Sequence, residues 1–491
     1  MAAPLPSVFW YRSLPTTRRP ALTGTHRTDN LVIGGGIAGL SCAQRLIELG
    51  QQVTLIEASF IGAGATGKSS GFITPDSELG VTQLRRRFGD ATARTLWQSA
   101  KDACDLIKQN VIDSGQDCGM IEADSFYCSR GRSGPRSLRD EHDAQTALGF
   151  DAHWHEHDIT EWLGTSRYTA ALRTSGTFGI QGTQYANALA TLLESRGLTL
   201  LEHTPATDIA EGLVATLNGT IEAQRIFVCT DRYAPRLGIQ TRSVYRARTY
   251  LAITRPLPRD LLHQLFPKGP LLVWDTDLVY QYFRPTPDHR LLVGGSLLTH
   301  STRAGTPDPA AGLRHLTQYI ESTFPQLAPA RFEAYWPGLI GVSKDILPIA
   351  GPVADTRTIH CALCAAGLPW STLAARTAVD SALERPSPIA PYFNPARAFG
   401  PADSLQPLLG KPNTWGLAYY YAREYQRGGL RRARTERNLT AAALTLAAAA
   451  ALYATARALR NRATEMSSSR WAPTPRHRQP AKPLARPHHA R

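Results

Sequence analysis

Residues 29–58 read DNLVIGGGIAGLSCAQRLIELGQQVTLIEA, and this stretch decides the fold. Asn30 to Ile33 is a short apolar run. Gly34, Gly36 and Gly39 follow it in the spacing G-x-G-x-x-G, and from Ala38 to Leu49 apolar residues recur at helical spacing (Leu40, Ala43, Leu46, Ile47) until Gly50 stops the pattern. Val53 to Ile56 is a second apolar run, and it ends on Glu57. Strand, glycine turn, helix, strand and acid together are the signature of a dinucleotide site. The first glycine permits a tight turn, the second lets a pyrophosphate approach the backbone, and the third lets helix and strand pack closely. Phosphate charge then meets the free N–H groups and positive dipole end of a helix, with Ile37 and Ala38 in its first turn. Glu57 can accept hydrogen bonds from ribose hydroxyls and would repel a 2′-phosphate, which disfavours NADP.

Outward from this unit the alternation continues. A helix is expected over Tyr185–Ser195, closed by Gly197, with strands at Thr199–Leu201 and Arg225–Cys229. Helices alternating with buried strands imply a parallel sheet. From Ser243 to Trp336 the style changes to strands separated by turn signals (Tyr250–Thr254, Val279–Phe283, Leu291–Gly294, Phe332–Trp336), with one helix near Leu313–Phe324. Ile359–Ala362 and Ser371–Leu383 return to strand and helix of the first kind. The expected fold is therefore α/β, a Rossmann-type domain with an inserted mixed or antiparallel sheet and a C-terminal helical tail. Its expected divisions are a leader at 1–28, a discontinuous nucleotide domain at 29–115, 180–240 and 336–388, a substrate domain at 116–179 and 241–335, and a linker and tail at 389–491.

Charge has a strong address. The 491 residues carry a formal +14, of which +13 lies from Lys411 onward, so the first 410 residues are almost neutral. That argues against a nucleic-acid surface on the body. Leu439–Ala456 in the tail is 18 uncharged residues, ten of them Ala, between clusters of Arg. Its length approaches a membrane span, but Ala contributes little to insertion. A helix docked on protein and a helix lying on anionic lipid both fit it. No apolar stretch of signal-peptide length precedes Asp29, and seven cysteines, an odd number, do not form a disulfide framework. A cytoplasmic protein is expected, with a possible association with the inner face of a membrane through the tail. Cys361 and Cys364 read as buried thiols and His153, His155 and His157 as a surface His-rich segment, so no metal site is expected.

A second small-residue loop follows the dinucleotide unit: Gly62, Gly64, Ala65, Thr66, Gly67, Lys68, Ser69, Ser70 and Gly71. It suits close approach by a second, bulky part of a cofactor, and a nicotinamide enzyme has no evident need of it. From Asp29 to Gly71 the chain resembles the opening of the D-amino-acid oxidase and sarcosine oxidase superfamily. Phe227–Pro235, Leu291–Ser296, the run Trp336–Gly341 with Asp345, Pro348, Ile349 and Gly351, and the turn at Ala365–Ser371 resemble that family's later segments in order. The leader from Trp10 to Pro20 and the form of the second loop look most like the gamma-glutamylputrescine oxidoreductase branch.

The resemblance implies non-covalent FAD, held by Gly34, Gly36, Ile37, Ala38, Gly39, Glu57, Ala58, Gly64 to Gly67, Ser69 to Gly71, Ala206, Gly338, Gly341, Asp345, Gly367 and Leu368. It implies oxidation of an amine to an imine by hydride transfer to flavin N5, followed by hydrolysis, with O2 or an electron carrier taking the electrons. Within the family an arginine after Gly-Leu in the C-terminal motif pairs with a substrate carboxylate, and this chain has Ile340 there. A larger amine, or one without an α-carboxylate, is therefore expected, with Tyr282, Arg284 and Lys68 as candidate catalytic residues and Arg284 as a candidate ligand for a more distant carboxylate. A flavoprotein that modifies nucleic acid and a non-catalytic flavin-loaded scaffold are the rival readings.

Overall fold

The computed structural model describes residues 8–15, 19–76, 78–130, 134–277, 280–295 and 309–399. The tail, including 439–456, lies outside the described residues. Among the described residues no helix is long and apolar enough to cross a membrane.

The strand Gly24–Ile33 is the middle of the first sheet, paired in parallel with Val53–Ile56 on one side and Gly219–Val228 on the other. Leu31, Val32 and Ile33 are buried because helices and loops cover both faces, and this explains the unbroken apolar run. Thr199–Leu201 extends the sheet in parallel beyond Val53–Ile56. Gly219–Val228 is longer than its neighbours and forks. Its first half pairs with the hairpin strand Leu213–Thr216, and its last residues pair in parallel with Ile359–Leu363. Ile33, Ile56 and Val228 thus end at one edge of the sheet, where an open α/β sheet binds its ligands.

The helices Ile37–Glu48 and Leu368–Ala382 lie side by side behind that edge. Ser41 hydrogen-bonds Thr372 (3.1 Å), Arg45 reaches Asp380 through two nitrogens (2.9 and 2.8 Å), and Arg376 pairs with Glu48. Ser41 matched with Thr372 and Glu48 with Arg376 makes the two helices run in the same direction, so both N-termini point to the same end.

The second sheet has eight strands in the order Phe332–Ser343, Val244–Thr254, Leu291–Gly295, Tyr282–Pro285, Leu271–Asp275, Asp124–Ser129, Ala170–Thr174 and His153–His155. It is antiparallel except where Leu271–Asp275 meets Asp124–Ser129 in parallel. Strand alternation gives it two different faces. Phe126, Val273, Phe283, Val293, Ala252 and Tyr335 pack against the helix Pro309–Thr323. Leu251, Leu292, Trp336 and Tyr282 face the leader residue Trp10 instead. A third, three-stranded sheet (Phe72–Ile73, Phe178–Gly179, Ile121–Glu122) bridges the two. The helix Val81–Ser114, broken by Gly89 at φ +79°, covers the first domain.

The structure departs from the sequence reading at two junctions. Phe332–Ser343 is one continuous strand of the second sheet rather than a strand that stops at Trp336. The Pro-rich segment after Pro386 is not a free linker in its described part: Ile389, Phe393 and Phe399 are buried, and Arg397 forms a bidentate pair with Asp345 (2.8 Å to each oxygen). Both side chains of that pair are at most 15% exposed. Removing one partner leaves a charge desolvated and unmatched, so Arg397→Ala is expected to cost about 3 kcal/mol of stability. Thermal unfolding of the variant measures this, and an unchanged transition would show that the segment contributes nothing to the fold.

Candidate active site

The two helix N-termini carry glycine at the cap position, Gly36 and Gly367, and neither receives a side-chain cap from that residue. Gly34 has φ +113° and Gly367 φ +91°, so both turns need a residue without a Cβ. A Cβ on Gly39 would overlap the carbonyl oxygen of Gly34, which is the close helix-to-strand contact the third glycine permits. A Cβ on Gly36 would lie 3.2 Å from the Thr66 hydroxyl, which itself accepts a hydrogen bond from the Ile37 N–H (2.9 Å). Thr66 therefore brings the second loop against the first helix.

Glu57 stands at the end of its strand with one oxygen accepting from Gly35 N–H (2.7 Å) and the other from Ser59 N–H (2.9 Å). Each oxygen keeps a second lone pair for a hydroxyl donor. Burial raises the Glu57 pKa, and the two amides oppose that by stabilising the carboxylate. Ala58 is exposed beside it, and Thr204 N–H donates to the Glu57 carbonyl (2.8 Å), which places Ala206 two residues away on a neighbouring edge strand.

Crowding explains most of the second loop's glycines. Gly67 N–H closes on Gly62 O (3.0 Å), and a Cβ at Gly67 would overlap that carbonyl. A Cβ at Gly71 would overlap the Ile180 carbonyl, while Gly64 has open space around it. Ser69 Oγ donates to Thr66 O (2.8 Å), and Ser69 and Lys68 offer their carbonyls to the Nε1 atoms of Trp10 (3.0 Å) and Trp336 (3.2 Å). Tyr11 adds a hydrogen bond to Ala63 O (2.7 Å). The leader thus clamps this loop, a role that sequence reasoning missed because the 3-10 turn Phe9–Ser13 carries no motif.

Arg284 sits elsewhere than expected of a carboxylate ligand. It is 1% exposed, and its guanidinium donates to the main-chain carbonyls of Ser70 (2.7 Å), Ile180 (2.7 Å) and Pro285 (3.1 Å). Burial lowers its pKa to about 9. It pins the second loop to the bridging sheet, a structural task in place of the predicted catalytic one.

The main chain of Lys68 lies near the same strand as Tyr282's neighbours: its carbonyl is 4.0 Å from the position of a Cβ on Gly338. Thr249 lies across the strand from Gly338, hydrogen-bonds the Tyr282 hydroxyl (3.2 Å), and has its methyl 3.2 Å from the position of a Cβ on Gly338. Burial pushes the Tyr282 phenol up to about 12, so it stays protonated. Lys68 is half-buried, and burial together with neighbouring Arg232 lowers its pKa. Ile340 shares its face with Val342 and Tyr245.

Two tethers hold the C-terminal motif. Asp231, at φ +48°, accepts from Gly341 N–H (2.7 Å) and Cys364 N–H (3.2 Å), and Arg232 donates to Leu339 O (2.7 Å). Gly341 therefore serves Asp231, and Asp345 serves Arg397, Ser343 and Leu347. Asp231 followed the strand expected at Arg225–Cys229 and was legible as a loop residue, but not as a tether. All seven cysteines are buried and unbonded. His155 pairs with Asp158 and His153 with Asp151, separate carboxylates.

The bare pair of aligned helix N-termini, the cradle at Gly34, Gly36 and Gly64, and the Glu57 lone pairs fit an extended dinucleotide. Comparison with known proteins names it. Residues 29–381 match the family model of FAD dependent oxidoreductases, DAO. The chain belongs to this family. It is 24% identical to "Probable oxidoreductase OrdL" of Haemophilus influenzae over 74% of this chain and 85% of that protein. It is 26% identical to the gamma-glutamylputrescine oxidoreductase of Escherichia coli over 68% of this chain and 78% of that one. The crystal structure of glycine oxidase from Geobacillus kaustophilus superposes with a TM-score of 0.65 at 22% identity, covering 76% of this chain and all of that one. The protein is an FAD-dependent oxidoreductase.

In this enzyme Gly36→Val would put a branched side chain into the space between the first helix and the second loop. The purified variant is expected to lose FAD, read by flavin absorbance. Full flavin content at normal stability would place the pyrophosphate elsewhere.

Proposed function

We propose that the enzyme oxidises a primary or secondary amine to an imine, which water then hydrolyses, and that its substrate is not a small α-amino acid. The observation that carries this reading is the uncharged chamber face of the second sheet. Gly338 and Ile340 on one strand and Ala247 and Thr249 on the next lie in register on one face, with Tyr282 beyond them. None of these side chains carries a positive charge to pair with a substrate carboxylate. FAD, when bound, accepts the hydrogen and electron pair from the carbon next to nitrogen, and passes the electrons to O2 or an electron carrier. Every other contribution is positional and electrostatic.

Lys68 supplies the positive charge. An amine reacts as its free base, and a nearby cation in a half-buried site lowers the amine's pKa, so that more of it is neutral at a given pH. Lys68→Met is therefore expected to move the pH midpoint of flavin reduction upward by about one unit. A midpoint that stays in place, in a variant with full flavin content, removes Lys68 from this role.

The decisive experiment for the function is anaerobic mixing with amines while flavin absorbance is followed. N-alkylated amino compounds and acylated diamines are expected to reduce the flavin about one to two orders of magnitude more effectively than D-alanine or glycine. A missing charge-assisted carboxylate contact is worth roughly 1.5–3 kcal/mol, which sets that ratio. D-Alanine as the best substrate would overturn the substrate class.

A further inference from the structure

The chamber face of the second sheet carries one feature that amine oxidation as such does not need. Tyr127, Trp274, Tyr282 and Gly294 are consecutive cross-strand partners, so they form a single row across four strands. Adjacent strands are spaced about 4.8 Å apart, so the row spans roughly 14 Å. On the opposite face the neighbours Phe126, Val273 and Phe283 are completely buried. The aromatic row itself remains partly open to solvent.

The rings are in contact along the row. Tyr127 stacks on Trp274 (5.7 Å between centroids, 21° between planes), and Phe72 from the bridging sheet stands edge-on to Tyr282 (5.7 Å) and tilted against Trp274 (6.3 Å). At Gly294 the row has no side chain because the Tyr282 ring occupies the space a Cβ would need. Tyr282 thereby leans toward Thr249 and Gly338, at the inner end of the chamber. Beside it lies Tyr280 (5.8 Å), which is 37% exposed and whose hydroxyl donates to Glu78 Oε1 (3.0 Å). Tyr280 and its carboxylate partner thus flank Tyr282, so that a track of aromatic faces leads from Thr249 and Gly338 over Tyr282 to Tyr280 and Glu78, with Phe72, Trp274 and Tyr127 beside them.

Aromatic faces attract alkylammonium groups, and a carboxylate at the end of such a surface adds a fixed negative charge. A chain with two amino groups therefore lowers its energy by placing an ammonium over the rings beside Glu78. We propose that the aromatic faces of Tyr282 and Tyr280, flanked by Phe72, Trp274 and Tyr127 and ended by Glu78, bind the distal arm of the substrate and select amines that carry a second, cationic nitrogen several bonds from the oxidised one. This rests on the reading of the chain as an amine oxidoreductase and narrows its substrate class. Glu78 and Tyr280 are specificity residues and take no part in the chemistry.

The test uses the flavin-loaded enzyme and two ions that cannot be oxidised in the proposed way, hexamethonium and hexyltrimethylammonium, with affinities measured by calorimetry. Hexamethonium is expected to bind on the order of tenfold more tightly, a cation–π and charge contribution at a partly open site. In Glu78→Gln the ratio is expected to fall below about threefold. If that variant has a lowered melting temperature, Glu78→Asp, which keeps the charge and shortens the side chain, should give an intermediate ratio. Equal affinities in the wild type, or a ratio unchanged in Glu78→Gln, overturn the track. Anaerobic mixing with hexane-1,6-diamine and hexylamine separates the two layers of the argument. A hexamethonium preference without flavin reduction by either amine would sink amine oxidation and leave the cation track standing. Reduction by both amines without a preference for the dication would do the reverse.

Discussion

The contact on which the site depends is the approach of Gly39 to the carbonyl of Gly34. It sets the first helix so close to its strand that no side chain fits between them. With the helix seated there, its N-terminus comes up at the edge where three parallel strands end. The amide of Ile37 then meets Thr66, Gly35 meets Glu57, and the second loop is drawn in beside the turn. A shift of the helix outward by the size of one methyl group would separate these partners together. The alignment of the second helix through Ser41 and Thr372 rests on the same seating.

The first domain was legible because its constraints are local. Strands Val53–Ile56 and Thr199–Leu201 have the bounds that their apolar runs announce, and the glycine spacing carried its own geometry. Elsewhere the decisive contacts join residues from 52 to 321 positions apart. Arg12 meets Glu333, Arg397 meets Asp345, and Asp124–Ser129 pairs in parallel with Leu271–Asp275, and no periodicity reveals such partners. The 34-residue helix Val81–Ser114 escaped for a different reason: its polar, Arg-rich first turns and Gly89 interrupt the apolar stripe. Arg284 shows the limit for charged residues. Its position between Phe283 and Pro285 looked like a ligand at a strand end, but alternation turns it toward three carbonyls that only the folded chain assembles.

That use of Arg284 has an energetic logic. A guanidinium buried this fully loses much of its hydration, and here several main-chain dipoles replace it in place of one carboxylate. Because the compensation comes from backbone, the arginine fixes the second loop, the bridging sheet and its own strand with one side chain. The loop is held from the other side by Trp10 and Trp336, whose indole N–H groups take the carbonyls of Ser69 and Lys68. Donors on both sides leave the backbone of this loop little freedom, and a rigid loop loses little entropy when it closes on a large cofactor.

The same economy separates the two tasks of the second sheet. Its helix-facing side is filled with Phe126, Phe283, Phe324 and their neighbours, and supplies the stability. Its other side can then remain lined with partly open aromatic rings, which a packed core would not tolerate. Partly open side chains on that face, such as Trp274 and Ile340, can change without touching the helix-facing core, since each residue's neighbours along the strand point the opposite way. The first domain has no such freedom, because its glycines are fixed by backbone contacts. In this chain the glycine contacts of the first sheet fix the nucleotide turn, and the second sheet's open face, on which Ile340 lies, is where a side chain can change at the least cost.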